Sequence, residues 1–282
     1  MSAWATDAVA GGWLSASLAA YALTALAGLA GLISRRKSLK YAGVCGLGVA
    51  LALNGGALAA IGIAAGRAPF KSLYETLFLY AFCIAFVSLV LMGLHRLWLL
   101  VPFAAGGSLA CLVYAWCRPD LESALLPPAL QSFWFVPHVV TYFVANAGLF
   151  VAFVLAGLSL LKARGRAATP AAGPSAGAEP LPLEEAAHKV AVLGFVALTL
   201  GLAMGAVWGK VAWGQYWSWD PKENWAFITW LAYLGYLHLR RTAGWQGKRA
   251  LWVNLACFGA AMFTYLGMHL LPGASGSLHV YQ

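Results

Sequence analysis

Residues 190–225 read VAVLGFVALTLGLAMGAVWGKVAWGQYWSWDPKENW. Positions 190–209 carry no charge, and Lys210 is the first ionisable residue. A hydrocarbon core about 30 Å thick is crossed by roughly 20 apolar residues in helix. The stretch therefore predicts a membrane span that runs directly into an aromatic loop. Five of the chain's 13 Trp fall between Trp208 and Trp225. Interfacial anchoring would spread Trp over both ends of every span rather than gather it in one loop.

The rest of the chain has the same character. It has 282 residues, 62% of them hydrophobic and only 10% charged, with mean hydropathy +0.75. Soluble domains hold about 45–50% apolar and about 25% charged residues. An ordinary globular enzyme and a disordered chain are both excluded. Eight apolar runs are long enough to be read as spans: 13–33, 42–64, 74–94, 97–116, 138–161, 190–209, 225–239 and 250–271. The expected fold is an all-α integral membrane protein of about eight transmembrane helices. The seventh run is short, with Trp and Tyr at its ends.

The net charge is +9. On a soluble protein that would suggest nucleic acid. Here Lys and Arg sit in short clusters between apolar runs, as topology determinants do. One set of loops holds 13 of the 18 basic residues and the other set holds 5. The basic set, with Arg35, Arg36, Lys37 and Arg240 among it, is expected in the cytoplasm. Both termini and the Trp-rich loop 208–225 are then external. Residues 162–189 include ATPAAGPSAGAEPLPLEE and read as a flexible cytoplasmic linker. It divides a five-span part, 1–161, from a three-span part, 190–282. Residues 117–137 are too apolar for a solvated loop and are expected to lie partly on the membrane surface. The five Cys form no CxxC pair and read as small apolar residues.

Chemistry concentrates in the loop. Trp208, Trp213, Tyr216, Trp217, Trp219 and Trp225 offer a large flat apolar surface, and Asp220, Lys222 and Glu223 add charge beside it. Porphyrin is a ligand of that kind, with an aromatic face, two propionates and an iron that takes axial ligands. A loop that only anchors the protein is the competing reading. Asp220 reads as a helix cap ahead of Pro221. Lys210 and Lys222 have the charge to meet propionates, or simply fix topology. Of the six His, His138 opens the fifth span at its external end, and His279 lies in the external tail. Two His on the side of the aromatic loop would give six-coordinate heme iron. His238 falls toward the cytoplasmic end of the seventh span, where an ionisable residue is a functional hypothesis or else an interfacial neighbour of the arginines. His269 is a candidate ligand or a buried hydrogen-bonding residue. His95 and His188 read as cytoplasmic loop residues.

The run Trp213-Gly214-Gln215-Tyr216-Trp217-Ser218-Trp219-Asp220-Pro221-Lys222-Glu223, continuing through Trp225 to Trp230, resembles the tryptophan-rich WWD signature of heme-handling proteins. Its Trp-Ser-Trp-Asp-Pro-Lys-Glu form is similar to the CcsA (ResC) branch; the CcmC and CcmF branches carry different flanks. Ser72–Leu77, Tyr236–Arg240, Gly244–Arg249, Thr264–Gly267 and Leu278-His279 resemble further segments of the same family. The resemblance covers about 67–282, and the first two spans match in hydropathy alone.

It implies the following. The protein would act with a CcsB (ResB) partner in System II cytochrome c maturation. The pair would carry heme b across the membrane and attach it to the CxxCH segment of apocytochrome c, a holocytochrome c synthase (heme lyase) activity. His138 and His279 match the external axial ligands held against the loop. His238 matches a membrane entry site whose opposite ligand the partner supplies. The position of His269 more often carries Asn in that pattern, so His269 ranks behind His279 as second external ligand. No catalytic acid–base pair is assigned. The partners are thus CcsB/ResB, apocytochrome c, heme and membrane lipid, without nucleic acid. The basic, Ala-rich style leans to a bacterial plasma membrane, with the loop on the periplasmic face, over a thylakoid. A heme-binding electron carrier and a non-enzymatic membrane assembly protein are the alternative classes.

Overall fold

The structure is a computed structural model that describes residues 3–117, 132–167 and 182–267. Eight α-helices follow in order among them: α1 Ala3–Ser34, α2 Lys37–Ala65, α3 Leu73–His95, α4 Val101–Cys117, α5 Phe135–Ala167, α6 Pro182–Trp213, α7 Pro221–Arg241 and α8 Lys248–Met262. A 3-10 turn, Trp98–Leu100, leads into α4, and a π-helical turn, Phe263–Gly267, continues α8. No strand occurs among the described residues. Among the described residues each apolar run read from the sequence falls in its own helix with its adjoining turn, and the protein is an all-α integral membrane protein.

Seven of the described helices are long and apolar enough to cross a membrane. The helix outside that set is α7, with 21 residues. Its length is sufficient, about 31 Å at 1.5 Å per residue. Its ends are what make it polar: Lys222 and Glu223 at one, Arg240 and Arg241 at the other. The expected surface segment 117–137 lies mostly outside the described residues. Helix α5 runs on to Ala167 and α6 starts at Pro182, so helix extends into both ends of the stretch read as linker.

Packing divides the chain into two compact units, with the break between Ala147 and Gly148 inside α5. Composition places the boundary later, at the polar stretch after 161.

In the first unit α1 packs on α2 and α4, and α3 packs on α2 and α4. Small residues permit the close approach that membrane helices need. A Cβ on Gly28 would lie 2.9 Å from both Val101 Cγ1 and Pro102 N. Asn54 Nδ2 donates to the Tyr21 hydroxyl and to the Phe78 carbonyl, both at 3.3 Å, which ties α2 to α1 and α3. Ahead of α3, Ser72 Oγ accepts from Glu75 N at 3.1 Å. The Glu75 carboxylate takes both arms of Arg67, at 2.7 and 2.9 Å, and Lys71 N at 2.6 Å. That fixes the entry of the chain into α3.

In the second unit α7 packs on α6 and α8, and the π turn packs on α7. The later part of α5 joins through Phe153 against Phe258 at 4.8 Å. At the end away from the Trp-rich loop, Glu184 in the first turn of α6 receives Arg240 from α7 and, at 2.8 Å, Gly247 N from the start of α8. The Glu184 and Arg240 side chains are 7% and 8% exposed. His188, expected in a loop, stands in α6 with its ring edge-on to Tyr236 at 5.9 Å.

Candidate functional site

The Trp-rich loop occupies 214–220, between α6 and α7, so all its residues belong to the second unit. Helix α6 stops because Gly214 takes φ +80°, a conformation that needs no Cβ. Lys210 Nζ donates to the Gly214 carbonyl at 2.8 Å and sits 5.6 Å from the centre of the Tyr216 ring. Its charge thereby serves the helix end and an aromatic face. The loop then folds back on α6. A Cβ on Gly209 would come 3.2 Å from the Gln215 carbonyl oxygen.

Helix α7 starts at a capping box built from the Asp-Pro-Lys-Glu run. Asp220 Oδ1 accepts from Lys222 N at 2.9 Å, and Pro221 fills the first helical position, where no N–H is missed. Glu223 reaches back over the loop. Its Oε2 accepts from Asp220 N at 3.1 Å, Ser218 N at 2.8 Å and Ser218 Oγ at 3.1 Å. Asn224 Nδ2 donates to the Trp219 carbonyl at 2.9 Å. Trp219, enclosed by these bonds, takes φ +58°. A bulky residue there is a genuine outlier, costing on the order of 1–3 kcal/mol, and persists only when its surroundings fix it.

The predicted site residues have different surroundings. Trp208 is 4% exposed and edge-on to Trp213 at 4.6 Å, so it is core beneath the loop. Trp225 packs on Phe263 of the π turn at 4.3 Å. Asp220 is buried and caps α7. Tyr216 and Trp219, 59% and 69% exposed, present their rings outward. Trp217 links the loop to α7 and α6: Trp219, Trp217, Phe227, Trp230 and Phe195 follow one another at 5.5–6.1 Å between ring centres. Trp230 Nε1 donates to Thr199 Oγ1 at 2.9 Å, which closes this file onto α6.

Among the histidines, His138 stands in the first turns of α5, in the first unit, half-buried and 6.1 Å from the Tyr142 ring. His238 is exposed on α7, in line with exposed Leu231 and Leu234, with Nδ1 3.4 Å from Thr242 Oγ1. His269 and His279 lie outside the described residues. No group of three or more His, Cys, Asp or Glu suited to a metal ion occurs among the described residues.

Sequence analysis read Glu223 only as charge beside the aromatic surface and gave no role to Ser218 or Asn224, which with it hold the loop, nor to Thr229 and Thr264, whose hydroxyls lie 2.9 Å apart beneath it at the Trp225 carbonyl. An Asp followed three residues later by Glu is the capping-box signal, and it was present for Glu223. Nothing in the sequence signals the hydroxyl pair.

A helical membrane protein with an aromatic loop surface clamped by its own carboxylates defines the class. A family model for cytochrome C assembly proteins matches residues 70–274, and the chain belongs to that family. Among its relatives is the cytochrome c biogenesis protein CcsA of Synechococcus elongatus, 32% identical over 87% of this chain and 88% of the relative. CcsA of Chlamydomonas reinhardtii is 35% identical over 77% of this chain and 61% of that protein. A solved structure, the cytochrome c heme lyase CcmF, superposes with TM-score 0.67 at 17% identity. It covers 96% of this chain, which spans half of that one. At that identity the likeness concerns the fold. Within the cytochrome C assembly proteins the chain belongs to the CcsA family.

Proposed function

We propose that the chain is the membrane component of a holocytochrome c synthase. With a CcsB/ResB-type partner it takes heme b across the membrane, presents it at the loop 208–225 and promotes its attachment to the CxxCH segment of apocytochrome c. The membrane is the bacterial plasma membrane and the loop faces outward. Heme is substrate here, and iron in transit takes histidine ligands: His238 on entry, with the partner's ligand opposite, then His138 and His279. His269 ranks behind His279 as the second of these outer ligands.

One observation carries this reading. The loop turns its carboxylates inward, onto backbone N–H groups, and its exposed surface is aromatic. A flat apolar face with two anionic edges meets no repulsion from Asp220 or Glu223 on such a surface. Burial of rings supplies binding energy at roughly 25 cal/mol per Å². The chain's own task is to bind, orient and shield. In the attachment each Cys S–H adds across a vinyl double bond: sulfur bonds one carbon and hydrogen the other.

The test is a reduced-minus-oxidised visible spectrum of the purified chain, with and without the partner. A sharp low-spin b-type signal, weakened in His138→Gly, supports the proposal. No heme in either preparation overturns it and leaves the loop as an anchor. An electron carrier would instead lose its spectrum in His138→Gly while cytochrome c maturation continued.

A further inference from the structure

Glu223 does more than begin a helix. The cap of α7 is Asp220, whose Oδ1 takes Lys222 N. The Glu223 carboxylate bridges the residues on either side of Trp219, accepting from Ser218 N, Ser218 Oγ and Asp220 N. Between those two anchors Trp219 is held at φ +58°. Asn224 Nδ2 holds its carbonyl from α7. The indole in consequence stands 69% exposed, edge-on to Trp217 at 6.1 Å. An L residue with a large side chain leaves that backbone region when nothing holds it there, because Cβ crowds the carbonyl oxygen. Leaving it swings the side chain to a different direction.

We propose that Glu223 is a positioning residue: it locks Trp219 left-handed and so keeps that indole at the loop surface, where it meets the flat substrate. The second clause rests on the loop being a heme platform; the first stands without it.

The test uses the full chain in detergent, with its partner for the heme assay. Oxidative labelling of Trp219, read by mass spectrometry, reports where the indole is. Heme titration reports what it does. The variants are Glu223→Met, which keeps length and removes the acceptor, Glu223→Gln, Trp219→Gly and the Glu223→Met/Trp219→Gly double variant. Labelling of Trp219 is expected to change several-fold in Glu223→Met and to return toward the parent in Glu223→Gln. Heme affinity is expected to fall about tenfold in Glu223→Met, equivalent to 1.4 kcal/mol. It should fall similarly in Trp219→Gly, and no further in the double variant, because glycine takes the left-handed conformation unaided. A purely structural cap would give additive losses. Unchanged Trp219 labelling in Glu223→Met, or additive losses in the double variant, overturns the proposal. Altered labelling with heme affinity equal in all variants upholds the lock and overturns the heme-platform reading. If Glu223→Met does not fold, Ser218→Ala removes one of the three donors and is read the same way, with smaller changes.

Discussion

Thr229 of α7 and Thr264 of the π turn place their hydroxyl oxygens 2.9 Å apart, and each lies within hydrogen-bond distance of the Trp225 carbonyl, at 2.9 and 3.1 Å, so that their two protons are shared among these acceptors. Both side chains are fully buried. The contact joins the helix that begins under the Trp-rich loop to the end of α8. The Ala260 carbonyl, 2.9 Å from Thr264 Oγ1, is an alternative acceptor for the same proton. A single buried polar knot thus sets the spacing of two helices beneath the aromatic surface.

Replacing Thr264 with Val should destabilise the chain by about 1 kcal/mol, the usual net worth of a buried hydrogen bond. Thr229→Val should cost a similar amount. The double variant should cost less than the sum, since each single change already breaks the shared contact. Thermal unfolding in detergent of all four proteins checks this; strict additivity would show that the hydroxyls act independently.

Gly267 ends the π turn under the Phe263 ring. A Cβ there would collide with Phe263 Cδ2. That ring is packed on Trp225 at 4.3 Å and has little room to withdraw. Gly267→Ala should lower stability by roughly 1–3 kcal/mol through overpacking. Tryptophan emission should shift as Trp225 is displaced. A melting point equal to the parent's would show that Phe263 moves freely.

Glu184 and Arg240 are a buried pair. Arg240→Leu leaves the Glu184 carboxylate without its charge partner, which costs about 3–5 kcal/mol in buried settings, and Glu184→Leu leaves Arg240 only the more exposed Glu185, 3.5 Å away. Arg240→Leu and Glu184→Leu should each lower the yield of folded protein sharply. The double Leu variant should recover much of the loss, although Gly247 N then lacks its acceptor. Size-exclusion profiles of the three variants make the comparison, and a double variant worse than either single one would contradict it.

His138→Gly should abolish cytochrome c maturation in cells that depend on this chain, and imidazole in the medium should restore part of it. The ring is half-buried near Tyr142, so its loss should leave the protein's melting point within about 1 kcal/mol of the parent's equivalent. Heme staining of a reporter cytochrome, run alongside the melt, separates a ligand from a folding residue.

Hydropathy made the helices legible because lipid demands long apolar runs, and each run became a helix. The loop was legible as a concentration of Trp. What each Trp does there was not. Trp208 and Trp219 look alike as letters, yet one lies against Trp213 on the inner face of α6 and the other points outward from a strained backbone. Burial of one indole depends on which face of α6 is covered, and no local pattern around Trp219 encodes a positive φ. The start of α6 was hidden by its polarity. Pro182, Glu184 and Glu185 read as the end of a linker, although Pro at the first position and acids in the first turn are also how helices begin. Glu184 was therefore missed as the residue that ties α6 to α7 and α8.

That tie has an order in time. The ribosome makes Glu184 56 residues before Arg240 and 63 before Gly247. Until those residues are synthesised, the α6 segment carries an acid with neither of the groups that later bond it. Closure of the three-helix base thus waits for the beginning of α8. A chain stalled or cleaved ahead of Arg240 would carry that carboxylate at the foot of its helices without either of the groups that bond it in the finished protein.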